Sequence, residues 1–205
     1  ERLSITTRKP QTTRNTILGI LNRPDTQILF LDTPGMLDPA YPLQNFMADQ
    51  VSTALADADV LLAVTDATNW AATCDTSLGN AVARATVPVV LTVNKADAAD
   101  AADLDAALAQ AADMHAIHES CPVSANTGAG SARLLEILTL LLPEGPQLYP
   151  EDVLTERSER FFVSELVREQ VFTHLRKELP YATAVRIEDY KEDRTKVYIR
   201  ATVVV

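Results

Sequence analysis

"VPVVLTVNKAD", residues 87 to 97, decides how this chain folds. Its apolar part is continuous and rich in β-branched residues, without the polar alternation of a half-solvated strand, and it breaks off at Asn94-Lys95-Ala96-Asp97. Such a run reads as a strand covered on both faces. "TQILFLD" (26–32), "DADVLLAVTDA" (57–67) and "SCPVSAN" (120–126) repeat the construction, and helix-compatible segments separate them, among them the alanine-rich 96–118. Strands alternating with helices predict an α/β fold with a mostly parallel sheet.

The polar residues collect at the carboxyl ends of these runs: Asp32, Asp66, Asn94 to Asp97, and Ser124 to Asn126. Open α/β sheets bind ligands at that edge. Further along, "LLPEGPQLYPED" (141–152) reads as the exit from the domain. An amphipathic helix over 157–179 follows, with Phe161, Val163, Leu166, Val167, Val171 and Leu175 near one side, then two alternating strands joined by the turn "KEDRT". The predicted domains are residues 1–148 and 149–205. The first fifteen residues, with Arg2, Arg8, Lys9, Pro10 and Arg14, read as an exposed loop.

The composition is that of a packed soluble protein: 205 residues, 47% apolar and 22% charged. No apolar stretch reaches eighteen residues and the first thirty lack a secretory pattern, so no membrane span or leader is expected. Cys74 and Cys121 have no metal-site spacing and read as structural thiols in a reducing compartment. The net charge of −10 is uneven: residues 1–150 hold 8 Lys and Arg against 17 Asp and Glu, whereas 151–205 hold 10 against 11. The later segment, near-neutral and rich in both signs, can present a basic face, although balanced charges more often make a merely solvated one.

Asp97 has a specific use at a strand end. A carboxylate accepts two parallel hydrogen bonds, which matches the N1–H and exocyclic amine of guanine and finds no such donor pair on adenine. The Asn94 amide and the Lys95 stem suit the loop and the ring. "DTPG" (32–35) ends its strand on a carboxylate and forbids a continuing helix through Pro34. Other constellations are weaker: His115 and His118 have no further ligands, Asp100, Asp103 and Asp105 read as a solvated face, and Ser4, His174 and Asp66 lack the nucleophile-elbow pattern of a hydrolase. Trp70 reads as packing.

"DTPG", "NKAD" and "SAN" stand in the order and spacing of the nucleotide-binding motifs of translation-factor-related P-loop GTPases. More closely, "ITTRKPQTTRNTILGI" (5–20), "DTPGML" and "RSERFFVSELVREQVFTHLRKELPYATAVRIEDY" (157–190) resemble the Era-type GTPases, in which a KH-type RNA-binding domain follows the GTPase domain. The resemblance runs the whole length. It implies a GTP/GDP site formed by Thr12, Thr13, Asp32, Thr33, Pro34, Gly35, Met36, Asn94, Lys95, Asp97, Ser124, Ala125 and Asn126. Thr13, with Thr12 as the near alternative, and Asp32 would act on Mg²⁺; the Gly35 N–H would approach the γ-phosphate; the Ala125 N–H would face guanine O6. Met36 stands where Ras-like enzymes place a water-orienting glutamine, and a thioether cannot orient water, so hydrolysis is expected to be slow, with its catalytic group unassigned.

What the resemblance implies for function is a switch that hydrolyses GTP and controls binding to 16S ribosomal RNA during assembly of the small (30S) ribosomal subunit. A cytoplasmic monomer with peripheral membrane association goes with it. The phosphate-binding Gly-Lys-Ser/Thr is missing, since none of the five lysines follows a glycine, and no Gly-x-x-Gly follows the last strand. Both elements are expected outside this chain in a complete parent GTPase, so that the chain alone would bind nucleotide weakly. A degenerate member is the lesser alternative, and an RNA- or ribosome-binding module without GTP hydrolysis is the competing function.

Overall fold

In chain order the elements are β1 (Ile17–Arg23), β2 (Thr26–Asp32), α1 (Pro42–Asp57), β3 (Leu61–Asp66), a 3₁₀ turn (Ala67–Asn69), α2 (Trp70–Thr73), α3 (Thr76–Arg84), β4 (Val89–Asn94), α4 (Ala101–Ala112), β5 (Glu119–Pro122), α5 (Ser131–Leu141), α6 (Glu159–His174), α7 (Leu179–Ala182), β6 (Ala184–Glu192) and β7 (Val197–Val204). They come from a computed structural model that describes all residues except 1, 2, 8, 10 and 75. Arg2, Arg8 and Pro10 of the expected N-terminal loop lie outside the described residues.

The chain divides into two compact units, one of residues 36–44 and 52–146, the other of residues 1–35, 45–51 and 147–205. The first is built on the parallel sheet β3-β4-β5. β4 lies between the other two strands, and Val89 to Val93 are buried without exception, as the continuous apolar run requires. Val82, Val89, Leu91, Ala63 and Ala111 form one core cluster, and Val93, Ala67 and Ala107 form another; Trp70 packs against both. Each fully buried valine or leucine contributes about 1.5–3 kcal/mol of transfer free energy, so β4 is the best-anchored strand in this unit and holds its end firmly.

The second unit contains two antiparallel hairpins, β1-β2 and β6-β7. Here the structure corrects the reading of "TQILFLD". It is an edge of a hairpin with β1, registered from Ile17↔Asp32 to Arg23↔Thr26 around Pro24-Asp25, and not a member of the parallel sheet. The segment 147–156 straps this hairpin. Gln27 Oε1 accepts the N–H groups of Leu148 and Tyr149 at 3.0 Å each, Gln27 Nε2 donates to Tyr149 O, and Ile20 N–H donates to Leu154 O at 2.8 Å. These bonds explain why residues 1–35 group with 147–205, a different partition from the expected division at 148/149.

Two helices differ from expectation. α4 stops at Ala112, so His115 and His118 lie in the turns after it and not on a helix. In α6, Leu166 is exposed, while Phe172, Arg168 and Glu169 are buried. The buried stripe therefore includes charge: Arg168 Nε donates to Glu165 Oε1 at 2.9 Å, and its guanidinium also lies over the Phe172 ring. Phe172 in turn meets Tyr181 edge-on at 5.4 Å between centroids.

Candidate nucleotide site

The end of β4 forms a tight turn. Lys95 takes a left-handed backbone conformation (φ +61°), which stops the strand, and Ala98 N–H closes the turn on Lys95 O at 2.9 Å. Asn94 Oδ1 accepts two N–H groups, from Lys95 at 2.8 Å and from Ala125 at 3.0 Å. Ala96 N–H donates to Val123 O and Val123 N–H to Val93 O, both at 3.0 Å. The end of β4 and its loop are thus joined to the loop after β5 at three points. In this arrangement the Ala125 N–H expected at guanine O6 is directed to Asn94.

The loop after β5 is equally determined. Ser124 is buried, its Oγ accepts the Thr127 N–H at 3.1 Å, and its carbonyl accepts the Gly128 N–H at 2.8 Å. Gly130 must be glycine: φ is +77°, and an added Cβ would stand 2.2 Å from Pro122 O. Asp97 is exposed, with Asn126 Nδ2 donating to Oδ2 at 3.4 Å. Hydrogen bonds from Ser124 and then Asn126 hold its carboxyl below the usual carboxylate range despite some desolvation. An exposed, ionised acceptor on a fixed turn can take a pair of N–H donors from a ligand.

Asn94, Lys95, Asp97, Ser124, Ala125 and Asn126 therefore come together in the two joined loops after β4 and β5. Asp66, which the sequence puts at the same sheet edge but not among the nucleotide-site residues, joins them here. It faces Asn94 in the β3-β4 register and pairs with the Lys95 ammonium, while Thr68 donates to its other oxygen through N (2.9 Å) and Oγ1 (2.7 Å). Partial burial pushes the Asp66 carboxyl up, but the hydrogen bonds from Lys95 and Thr68 outweigh it and leave it below its ordinary value. The only sequence signal was its place at a strand end.

Thr12, Thr13, Asp32, Thr33, Pro34 and Gly35 belong to the other compact unit; Met36 starts the first one and is 39% exposed. Thr12 and Thr13 lie in an irregular segment after Gln11 (φ +59°). Asp32 ends β2, and its Oδ2 accepts the Ser4 hydroxyl at 2.5 Å. Pro34 is buried, and Gly35 is exposed with nothing within 4 Å of where a Cβ would be. Protein packing makes no demand for glycine at 35. A threonine hydroxyl and a carboxylate are hard oxygen donors that suit Mg²⁺, which takes its other ligands from substrate phosphate and water. When bound, the ion would neutralise phosphate charge. Among the described residues no group of three or more His, Cys, Asp or Glu could hold a metal by itself.

The segment before β1 is clasped at two points within its unit. Lys9 Nζ donates to Phe172 O (2.6 Å) and Leu175 O (2.5 Å) at the C-terminal end of α6, where the helix dipole favours a cation. Arg14 donates to Thr183 O, Tyr181 O and Pro180 O at 2.9, 2.7 and 3.3 Å. The free thiol of Cys121 is buried, and burial pushes its pKa up, which makes it inert.

Comparisons with known proteins show the family. A family model described as 50S ribosome-binding GTPase matches residues 1–95. GTPase Era of Geobacter metallireducens is 39% identical over 207 residues, covering all of this chain and 70% of the relative. The chain belongs to the Era family of GTPases. GTPase Era of Geotalea daltonii is 41% identical over 94% of the chain and 65% of its own length, so the chain spans about two thirds of these relatives. Among solved structures, Era in complex with MgGDPNP and nucleotides 1506–1542 of 16S ribosomal RNA superposes with a TM-score of 0.89 at 31% identity, over 99% of this chain and 70% of that one. An Aquifex aeolicus Era variant bound to GDP and AlF4⁻ gives 0.90 at 31% identity, with the same coverage.

Proposed function

We infer that this protein is a guanine-nucleotide switch: it binds GTP and GDP with Mg²⁺, hydrolyses GTP slowly, binds 16S ribosomal RNA and acts in small-subunit assembly. The observation that supports it most is the joined pair of loops after β4 and β5, which holds Asp97 as an exposed, ionised carboxylate of the kind that guanine recognition requires. Family membership supplies the hydrolytic activity and the RNA partner. The family description that mentions the 50S subunit matches only residues 1–95, whereas the structure holding 16S RNA is similar over 99% of the chain, including the C-terminal segment. The small subunit is therefore the better partner.

Within this reading, Thr13 and Asp32 hold the metal, Gly35 lies against the γ-phosphate, and α6 through β7 form part of a KH-type RNA-binding domain. The resemblance further supports a cytoplasmic monomer that associates peripherally with the membrane; among the described residues no helix is long and apolar enough to cross one. The test uses the full-length protein. Mg²⁺-dependent binding of fluorescent GDP and a GTP analogue, phosphate release from GTP, and affinity for a 16S 3′-end RNA in both nucleotide states are measured together. Nucleotide binding with RNA affinity that depends on the nucleotide is expected; RNA binding without nucleotide binding would overturn the switch.

A further inference from the structure

Asp66 ends β3 opposite Asn94 and takes the Lys95 ammonium at 2.5 Å. We propose that Asp66 is a positioning residue for guanine nucleotide binding: by clamping the Lys95 ammonium it fixes the lysine stem and backbone beside the Asp97 carboxylate. The proposal rests on the reading of the loop 94–97 as the base site.

Lys95 is an ordinary L-residue at φ +61°, a conformation that persists only where its surroundings over-determine it. Its N–H is held by Asn94 Oδ1 and its carbonyl by the Ala98 N–H. Asp66 holds the remaining end, the side-chain tip. The two partners are unequal: the Asp66 side chain is 19% exposed and sits on a strand, whereas Lys95 is 58% exposed on a loop. The carboxylate is the fixed member and the lysine the one that is placed.

Capping of the 3₁₀ turn does not explain a carboxylate at this position. Thr68 uses only Oδ1, and an amide oxygen would accept its N–H and hydroxyl as well. It is the ammonium on Oδ2 that calls for an anion. A lysine stem has many rotamers, and clamping it before the ligand arrives removes that ordering from the binding step.

The test follows release of fluorescent GDP from the full-length protein, with the thermal midpoint as a check on folding. Asp66→Asn keeps the acceptor for Thr68 and removes the anion; Lys95→Met keeps the stem and removes the ammonium. Each is expected to release GDP about three- to tenfold faster, and the double variant no faster than either alone, because the pair acts as one unit. Asp66→Glu, which retains the anion, is expected to recover slower release than Asp66→Asn. Wild-type release from Asp66→Asn, or losses that multiply in the double variant, or equal release from the Asn and Glu variants, would overturn the proposal. Nucleotide selectivity of Asp97→Asn separates the two readings. If it moves toward xanthine while Asp66→Asn is silent, only the positioning role falls; if it does not move, the base-site reading falls and takes the proposal with it.

Discussion

Asn94 and Ala125 are joined by one hydrogen bond, Ala125 N–H to Asn94 Oδ1 at 3.0 Å, and through it the end of the buried strand β4 aligns the loop after β5. The same oxygen accepts the Lys95 N–H. Asn94→Ala therefore strands two donors at once. A loss of about 1–2 kcal/mol in stability is expected, together with weaker binding of both GDP and GTP. Urea unfolding and fluorescent-nucleotide titration measure the two effects; unchanged nucleotide affinity would show that the loops need no such link.

Two glycines should respond in opposite ways. Gly130→Ala brings a Cβ to 2.2 Å from Pro122 O in a left-handed residue, so the loop after β5 must shift, and a cost of about 2–4 kcal/mol is expected. Gly35→Ala meets no protein atom within 4 Å and should leave the unfolding midpoint in place. If Gly35 lies against the γ-phosphate, the same variant weakens binding of a GTP analogue more than of GDP. Equal binding of both by Gly35→Ala would remove it from the switch.

Residues 87–97 were legible because five consecutive residues of β4 are buried, so apolarity alone gave the strand and its end gave the site. Where burial depends on partners distant in sequence, the pattern was silent. "ILGILNR" has one more buried or half-buried position than "TQILFLD", and it is the antiparallel register between the two, not a place in the parallel sheet, that pairs them. Asp66 finds Lys95 29 residues away through the β3-β4 register. The apolar pattern puts Leu166 near the apolar side of α6; instead Arg168 is buried, where the Glu165 carboxylate and the Phe172 ring make its guanidinium tolerable, and Leu166 takes the solvent side.

The Lys9 and Arg14 clasps give an expectation for stability. Arg14→Met keeps most of the stem but removes bonds to three carbonyls, and Lys9→Met uncaps the end of α6. Each should cost about 1–3 kcal/mol, since the bonds are charge-assisted and half-buried. Chemical unfolding of both variants checks this. Midpoints equal to that of the parent would mean that the segment before β1 is held by other contacts.

Tyr190 offers a spectroscopic check in the C-terminal hairpin. Its hydroxyl donates to Glu159, and that bond, with some desolvation and the nearby Glu192, pushes its pKa up to about 12. A raised folded pKa means that the contribution is fully present below the ordinary tyrosine value of 10.0 and is lost as pH rises through about 12. Tyrosinate absorbance should therefore include a late titration that moves back toward 10.0 in Glu159→Gln, apart from that of Tyr149, which its bond to Glu156 also raises. An unchanged titration in that variant would exclude the contact.

Thr13→Ala tests the metal assignment. Binding of a GTP analogue in the presence of Mg²⁺ should weaken while GDP binding is largely retained, because in the proposed switch the hydroxyl would be recruited only when the γ-phosphate is present. Identical losses for both nucleotides would count against Thr13, and the same measurement on Thr12→Ala would then decide between the neighbours.

The most direct measurement is the nucleotide selectivity of Asp97→Asn in the full-length protein, by competition of GDP and XDP for a fluorescent nucleotide. The amide replaces one carboxylate acceptor by a donor, which suits the 2-oxo group of xanthine and opposes the guanine amine. Affinity for GDP is expected to fall by at least about a hundredfold while that for XDP rises. A variant that still prefers guanine as strongly as the parent would contradict the assignment of the loops after β4 and β5 as the base pocket.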